Sequence, residues 1–281
     1  MTPEHLTHPV LPGKLGRRRA LQAIAATSAV GALASAGRAR AAVSTSAHIV
    51  IAGGGLGGIA VANRLAGLLD GARITLIDAK EEHNYQPGYT LVAAGVWPLD
   101  KVRDRNADFH PAGLNWVKDM VAEFDPAANT VVTAGGQRIH YDFLVVATGL
   151  HLDYAQIEGM DVAAIGRNGL ASVYAGPQAA QATWGAMQTF VAQGGQALMT
   201  LPATPLKCAG APLKMTFLLR DRLRQAGTLD KSKLRFESAL GNVFGVPVVN
   251  ARVLELWKGM GIDVEYSRKL AAIDIGARRA T

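Results

Sequence analysis

The sequence contains a single cysteine, Cys208, among its 281 residues. One cysteine excludes an internal disulfide framework and any metal site built from cysteines alone, and we predict no metal site. Charge is also scarce, since charged residues make up 18% of the chain and residues 1–41 carry +5 of the net charge of +7. Because the remainder carries only +2, we expect no nucleic-acid partner for the folded part.

The first 41 residues lack an apolar run long and uniform enough to span a membrane. An arginine triplet at 17–19 precedes a mildly apolar stretch, 20–36, and a small-x-small cleavage site at 39–41. This order is typical of an export signal, so we expect residues 1–41 to be a signal peptide and the protein to be periplasmic. The arginines resemble a twin-arginine signal, although Ala20 stands where that pattern prefers phenylalanine. An ordinary secretory signal is the alternative.

Glycine is abundant where the folded part begins. The run Gly53-Gly54-Gly55-Leu56-Gly57-Gly58 follows an apolar stretch, 48–52, and precedes a stretch with helical spacing, 59–65. Strand, glycine turn and helix in this order form the dinucleotide-binding fingerprint, in which the helix N-terminus faces the phosphates. The first glycine permits a tight turn, the third lets the backbone approach a pyrophosphate, and the last lets the helix pack on the strand. A plain glycine-rich loop is the alternative.

A second strand pattern, 73–77, ends in Asp78, twenty residues after Gly58. A carboxylate at this point can accept hydrogen bonds from an adenosine ribose and would repel a 2′-phosphate. The sequence therefore predicts an α/β protein whose first Rossmann-like unit covers residues 47–150.

Further patterns complete this unit. Residues 85–87 follow the second strand near the sheet edge where open α/β sheets bind ligands, although by pattern alone an ordinary loop is the better interpretation. A uniformly apolar stretch, 143–147, suits a buried parallel strand and ends in Thr148-Gly149. Between them, strands are predicted at 114–117, 121–125, 130–133 and 138–140, the last two as a hairpin.

A second, incomplete Rossmann-like unit is expected over residues 151–281. It begins with a predicted helix at 175–192 and a predicted strand at 196–201. No glycine fingerprint follows this strand, and the prolines of residues 202–212 lack N–H donors. We therefore predict that this unit does not hold NAD(P)H.

Cys208 stands where that second fingerprint would be. It lies beside Lys207 and just before a predicted helical run, 213–223. A thiol near a helix N-terminus and a lysine can have its pKa lowered, and the thiolate is the nucleophile. The alternative is a small buried hydrophobic residue. The polar, proline-flanked setting favours a reactive cysteine.

From about residue 47 onward, the chain resembles the sulfide:quinone oxidoreductases, particularly their mitochondrial-type branch. The segment around Cys208 is the most specific part of the resemblance, because the glycine motif is shared by many flavoproteins. The segments that carry it are 53–58, 85–87 with 90–92, 147–149, 205–212 and 244–246.

The resemblance implies FAD on the first unit. The cofactor-binding residues that it implies are Gly53, Gly54, Gly55, Leu56, Gly57, Gly58, Asp78, Gln86, Val121, Thr148 and Gly149. The glycines would face the pyrophosphate, Asp78 the ribose, Gln86 the flavin side, and Val121 the adenine through its backbone. Cys208 would be one of a cysteine pair that takes up sulfide sulfur and passes two electrons to the flavin, which reduces a membrane quinone. Peripheral contact with a membrane is also implied.

Two features of the family are missing from the sequence. The family's second active-site cysteine and its Gly-Asp segment lie further along its chains, and these 281 residues contain neither. We therefore expect the chain to be the N-terminal part of a longer enzyme. One alternative is the flavoprotein subunit of a flavocytochrome sulfide dehydrogenase, which donates electrons to a haem partner. Another is a non-catalytic nucleotide-binding remnant.

Overall fold

The structure, a computed structural model, describes residues 42–204 and 208–281. The predicted signal peptide, residues 1–41, and residues 205–207 lie outside the described residues. The strands are β1 (Val43–Ser44), β2 (His48–Ala52), β3 (Leu69–Asp70), β4 (Arg73–Ile77), β5 (Glu82–Asn84), β6 (Arg103–Arg105), β7 (Asn115–Val117), β8 (Val121–Asp125), β9 (Thr130–Thr133), β10 (Arg138–His140), β11 (Phe143–Val146), β12 (Gly195–Leu201), β13 (Ser232–Ser238), β14 (Ile262–Tyr266), β15 (Ile273–Asp274) and β16 (Arg279–Ala280). The α-helices are α1 (Leu56–Ala66), α2 (Tyr89–Ala93), α3 (Pro177–Gln193), α4 (Gly210–Ala226) and α5 (Pro247–Met260).

The first unit is built on a parallel four-stranded sheet in the order β11-β2-β4-β7. All five residues of β2 are buried, as the apolar stretch at 48–52 predicts. Alternate side chains of β2 point to opposite faces, so Ile49 and Ile51 pack with α1 residues such as Ile59. Val50 packs on the other face with Val131. Both faces of β2 are therefore covered, so the glycine turn follows a fully buried strand.

The antiparallel sheet β8-β9-β10 covers that second face. Its strands confirm the predicted strand at 121–125 and the predicted hairpin at 130–133 and 138–140. The prediction for 143–147 is only partly right. This segment forms β11, which pairs in parallel with β2. However, β11 is an edge strand, and Phe143 and Val146 are 63% and 59% exposed.

The second unit contains a parallel sheet in the order β12-β13-β14. Helix α4 connects β12 to β13, and α5 connects β13 to β14. The predicted helices at 175–192 and 213–223 are confirmed as α3 and α4, with ends displaced by a few residues. Trp257 of α5 and Phe236 of β13 are fully buried and in ring contact, 4.8 Å between centroids. The second unit therefore has a substantial core.

That core also takes in part of the first unit. Helix α2 packs against α3, and its buried residues Tyr89 and Val92 belong to the same hydrophobic cluster as Leu219 and Phe236. The predicted boundary near residue 150 therefore separates two segments of the sequence. In the structure, the two segments share one hydrophobic cluster. Within the described residues, no helix is long and apolar enough to cross a membrane.

Candidate functional site

The glycine turn joins the C-terminal end of β2 to the start of α1. Gly53 has φ +108°, and a Cβ on it would lie 2.4 Å from the carbonyl oxygen of Ala147. A Cβ on Gly58 would lie 1.8 Å from the carbonyl oxygen of Gly53. Only glycine fits both positions, because the first combines positive φ with a close backbone contact and the second lets α1 pack on the turn.

Gly55 and Gly57 are glycine for a different reason. A Cβ on either residue would point into open space, with no atom within 4 Å. This space lies in front of the N-terminus of α1, where no side chain caps the helix. The first N–H groups of a helix have no partner within it and attract anions. Leu56, which lies between these glycines, is 76% exposed. The turn therefore presents free backbone donors and no bulky barrier close to them.

Asp78 directly follows β4 and lies against the glycine turn. Its Oδ2 accepts a hydrogen bond from the backbone N–H of Gly54 at 2.6 Å, and its Oδ1 accepts one from the backbone N–H of Lys80 at 2.7 Å. The Trp116 indole N–H donates to the Asp78 carbonyl oxygen at 2.9 Å. These bonds fix the carboxylate, and each of its oxygens keeps a lone pair for a further donor. A ribose hydroxyl is a donor of the required kind.

The segment after β11 lies beside the same turn. The Ala147 N–H donates to the Ala52 carbonyl oxygen at 2.7 Å, so the chain passes directly over Gly53. Thr148 and Gly149 are exposed, and Gly149 has φ +74°. The fold thus gathers residues from three predicted segments, 53–58, 78 and 147–149, at one edge of the sheet. Their binding of FAD stays a prediction.

Two other predicted cofactor residues lie on different elements. Val121 begins β8 and pairs with Thr133 across a bulge. Gln86 is exposed and begins a 3-10 turn, Gln86–Gly88, that leads directly into α2. Their predicted roles toward the adenine and the flavin stay predictions.

Cys208 lies two residues before the start of α4, and it is half-buried. Its carbonyl oxygen accepts a hydrogen bond from the Ala211 N–H at 3.0 Å. The ammonium group of Lys214 lies 4.0 Å from the Cys208 sulfur. Lys207, the lysine that the sequence places beside the cysteine, is outside the described residues. The lysine that the structure shows near the sulfur is thus Lys214, six residues further on.

Two tyrosines connect the neighbourhood of Cys208 with the first unit. Burial, and then an electrostatic interaction with Cys208, raise the pKa of Tyr174. Tyr174 contacts Tyr89, with 5.9 Å between ring centroids. Burial, and then the charge of Glu82, raise the pKa of Tyr89 to about 12, so both phenols stay neutral at physiological pH. Tyr89 directly follows the turn that holds Gln86. Tyr174 therefore interacts electrostatically with Cys208 and is in ring contact with a residue next to this turn.

Sequence reasoning missed both Tyr174 and Lys214. Tyr174 lies in a loop before α3 and has no periodic pattern around it. The sequence did contain one indication of Lys214. It is a basic residue near the start of a predicted helix, and the first turn of that helix has no acidic residue.

Two cavities lie elsewhere in the described residues. Cavities of about 410 Å³ near Ile273 and about 180 Å³ near Leu114 are lined by residues other than the glycine turn and Cys208. Among residues 42–204 and 208–281, no group of three or more His, Cys, Asp or Glu side chains could hold a metal ion. The site is therefore defined by the open space at the glycine turn and by the surroundings of Cys208.

The arrangement defines a class of protein. Residues 47–191, which include the first strand, the glycine turn, the helix after it and Asp78, match the pyridine nucleotide-disulphide oxidoreductase model. The chain belongs to this family, whose members are FAD-binding oxidoreductases. The residues fit this cofactor, since the turn leaves open space and free N–H donors for a pyrophosphate.

Particular relatives are more informative. The mitochondrial sulfide:quinone oxidoreductase of Mus musculus is 35% identical over 230 residues, which are 80% of this chain and 49% of that protein. The Dictyostelium discoideum protein of the same name is also 35% identical, over 83% of this chain and 51% of that protein. The chain spans about half the length of these curated relatives. These findings confirm the resemblance inferred from the sequence.

A solved structure supports the same relationship. The sulfide:quinone oxidoreductase of Aquifex aeolicus superposes with a TM-score of 0.69 at 26% identity, covering 81% of this chain and 52% of that chain. The predicted α/β class, with a Rossmann-like FAD-binding unit and a second Rossmann-like unit, is confirmed.

Proposed function

We propose that this chain carries the FAD-binding turn and the sulfur-handling cysteine of a sulfide:quinone oxidoreductase. The observation that carries the proposal is the position of Cys208 two residues before α4. There it interacts electrostatically with Tyr174, whose ring contacts Tyr89, next to the turn that holds Gln86. Cys208, the proposed sulfur carrier of the second unit, is thereby related to the turn of the first unit that is expected to face the flavin. The names of the relatives identify the reaction in those proteins and support it here.

In the proposed reaction, sulfide loses two electrons and becomes sulfane sulfur, and a quinone gains two electrons and two protons and becomes a quinol. FAD, when bound, supplies the two-electron acceptor between them. The N–H groups at Gly55 and Gly57 bind its pyrophosphate, and Asp78 binds its ribose. Cys208 is the nucleophile that carries the sulfur.

The second unit is proposed to work without NAD(P)H. Its first strand, β12, is followed by Pro202-Ala203-Thr204 in place of a glycine turn. A proline offers no N–H donor to a pyrophosphate. Cys208 follows β12 at the place where a nucleotide-binding unit would have its glycine turn. We propose that this segment binds sulfur and not a nucleotide.

We further propose that the protein is exported by the twin-arginine route, works in the periplasm and contacts the membrane peripherally to reach its quinone. The arginine triplet followed by an apolar stretch and small residues supports export. The mouse and Dictyostelium relatives are named mitochondrial, and mitochondrial targeting is the competing interpretation, since transit peptides are also rich in arginine and poor in acids.

Sulfur uptake can be tested directly at Cys208, because it is the single cysteine. The protein is incubated anaerobically with polysulfide, and the Cys208 peptide is examined by mass spectrometry after blocking with an alkylating reagent. We expect a mass gain of one or more sulfur atoms, and none for Cys208→Ser. If Cys208 is alkylated readily but never gains sulfur, the proposed function is wrong.

A further inference from the structure

Trp116, in β7, holds the residue that is expected to bind the adenosine ribose. Its indole N–H donates to the carbonyl oxygen of Asp78 at 2.9 Å. Asp78 is the first residue beyond β4, whose pairing with β2 and β7 ends at Ile77. A buried or half-buried carbonyl beyond the last pair of a sheet needs a donor from elsewhere. Here a side chain supplies that donor.

The position of the Trp116 ring is itself fixed by its neighbours. The ring of His110 meets it edge-on, with 4.8 Å between centroids. The ammonium group of Lys118 lies 4.6 Å from the ring centre and also forms an ion pair with Glu81 at 2.6 Å. Both members of that ion pair are more than half exposed, so the pair contributes little. The half-buried indole is therefore the firmer restraint on the segment after β4.

The main chain of Asp78 determines where its carboxylate lies. The Asp78 N–H donates to the Val117 carbonyl oxygen at 3.1 Å, so both main-chain polar groups of Asp78 are bonded to residues of β7. With the peptide held in this way, the carboxylate meets the backbone N–H groups of Gly54 and Lys80 at 2.6 and 2.7 Å. A rotation of the Asp78 peptide would move the carboxylate away from the glycine turn.

We propose that Trp116 is a positioning residue for nucleotide binding. Its indole N–H fixes the Asp78 peptide, so that the carboxylate accepts a hydrogen bond from a hydroxyl of the adenosine ribose of FAD. The inference rests on the proposed function, because it takes Asp78 as the ribose-binding residue. It adds a residue from another strand on which recognition of the ribose depends, in the way that binding groups depend on a supporting shell.

The test compares FAD with two analogues whose adenosine lacks either the 2′- or the 3′-hydroxyl. Their dissociation constants are measured by flavin fluorescence for the wild type, Trp116→Phe and the control Trp184→Phe. Phenylalanine keeps an aromatic ring at position 116 and removes the N–H donor. Trp184 packs in the other hydrophobic cluster, beside Gly95 and Arg222, so its replacement is a structural loss that does not touch Asp78. Urea unfolding of each protein without FAD measures stability.

The wild type should bind at least one analogue about tenfold more weakly than FAD, because a hydrogen bond to a charged group contributes at least that much. In Trp116→Phe this ratio should fall to about threefold or less, since a misplaced carboxylate discriminates less between the ligands. Trp184→Phe should unfold at a lower urea concentration and keep the wild-type ratio. A purely structural defect weakens FAD and its analogues by the same factor. A wild-type ratio in Trp116→Phe would therefore overturn the proposal.

The same data separate this inference from the proposed function. If the wild type binds FAD and discriminates against an analogue, the FAD site stands whatever Trp116→Phe does. Equal binding of FAD and both analogues by the wild type would remove the ribose role of Asp78 and the role of Trp116 with it. The polysulfide test of Cys208 uses no flavin, so its outcome is independent of these ratios.

Discussion

Two glycines of the same turn serve different purposes. Gly53 is required by the fold, because its φ of +108° and the nearby Ala147 carbonyl leave no room for a Cβ. Gly55 has φ −75° and open space where its Cβ would be. Any residue could fold at Gly55, so its glycine is best explained by a ligand that approaches the backbone.

Alanine substitutions should separate these two purposes. Gly53→Ala should destabilise the protein by about 1–3 kcal/mol, the usual cost of a strained backbone position. Gly55→Ala should unfold at nearly the wild-type urea concentration but bind FAD at least about tenfold more weakly, since the methyl group enters the expected pyrophosphate space. Urea unfolding and FAD titration of the same samples measure both quantities. Undiminished FAD affinity in Gly55→Ala would show that the phosphate does not lie there.

His48 gives the protein a pH-dependent stability. It is 9% exposed, and its Nε2 lies 2.8 Å from the hydroxyl of Thr75 on the neighbouring strand. Burial, and then the positive charge of Arg73, lower the pKa of His48 below its ordinary value of about 6.5. Between the folded and the unfolded pKa, the unfolded chain binds more protons than the folded one.

The unfolding free energy should therefore be fully retained above about pH 6.5 and fall as the pH decreases toward the folded pKa of His48. Replacing His48 with Gln should make this part of the profile flatter, whereas the control His151→Gln, at an exposed position, should leave it unchanged. Burial also lowers the pKa of His110, so some slope should remain in His48→Gln. The measurement is urea unfolding at several pH values. A His48→Gln profile as steep as the wild type would contradict the assignment.

At the scale of elements, helices α2, α3 and α4 form the junction between the two units. Arg222 of α4 donates from Nε to the Ala94 carbonyl oxygen at 2.8 Å, and its guanidinium lies 5.2 Å from the centre of the Trp184 ring. Gly95 has φ +66° and lies against Trp184, so that a Cβ would be 2.3 Å from the ring. The junction is thus closely packed and depends on a few side chains.

Removing the Arg222 side chain should weaken this junction. Arg222→Ala should cost about 1–3 kcal/mol of unfolding free energy, because it removes a charged donor and a cation–π contact. The control Arg224→Ala, on the same helix, removes an exposed ion pair with Asp221 and should cost less than about 1 kcal/mol. Thermal and urea unfolding measure both variants. Equal losses would mean that Arg222 contributes no more than a surface charge.

The elements also show which features a sequence can predict. The β2, turn, α1 and β4 segments were predictable because their signals are local, in strand periodicity and in the glycine spacing. The exposure of β11 was not, because strand order decides which apolar strand is central and which is an edge. The electrostatic interaction of Cys208 with Tyr174 and its 4.0 Å contact with Lys214 depend on how loops and helices are placed. Sequence spacing carries little of that information.

At the scale of the whole molecule, the shared core relates the two halves of the proposed site. Tyr89 belongs to the first unit by sequence, but it is buried in the hydrophobic cluster that includes the helices and strands of the second. The turn that holds Gln86 therefore adjoins the hydrophobic cluster to which α4, the helix after Cys208, also contributes. Shared packing of this kind is consistent with the electron transfer between sulfur and flavin that is proposed above.

Export concerns the whole chain. It can be tested by substituting the arginine pair of the expected signal peptide. Changing Arg17 and Arg18 to lysine should abolish passage of a reporter that is exported only when folded, because the twin-arginine route requires both guanidinium groups. Replacing Arg38 and Arg40 with lysine, near the expected cleavage site, serves as the control. Unchanged export of the first variant would contradict the twin-arginine assignment, and import of the chain by isolated mitochondria would support the competing one.

The last prediction concerns turnover by this polypeptide. The proposed sulfur uptake uses a cysteine pair, in which sulfide attacks a disulfide and the released thiolate passes its electrons onward. The 281 residues contain Cys208 alone, so they cannot form that disulfide within one chain. We expect the protein to bind FAD and to accept sulfur from polysulfide at Cys208. We expect it to show no sulfide-dependent quinone reduction above that of Cys208→Ser, measured anaerobically by quinol formation. Sustained turnover that is lost in Cys208→Ser would show that one cysteine suffices, and the requirement for a second would then be wrong.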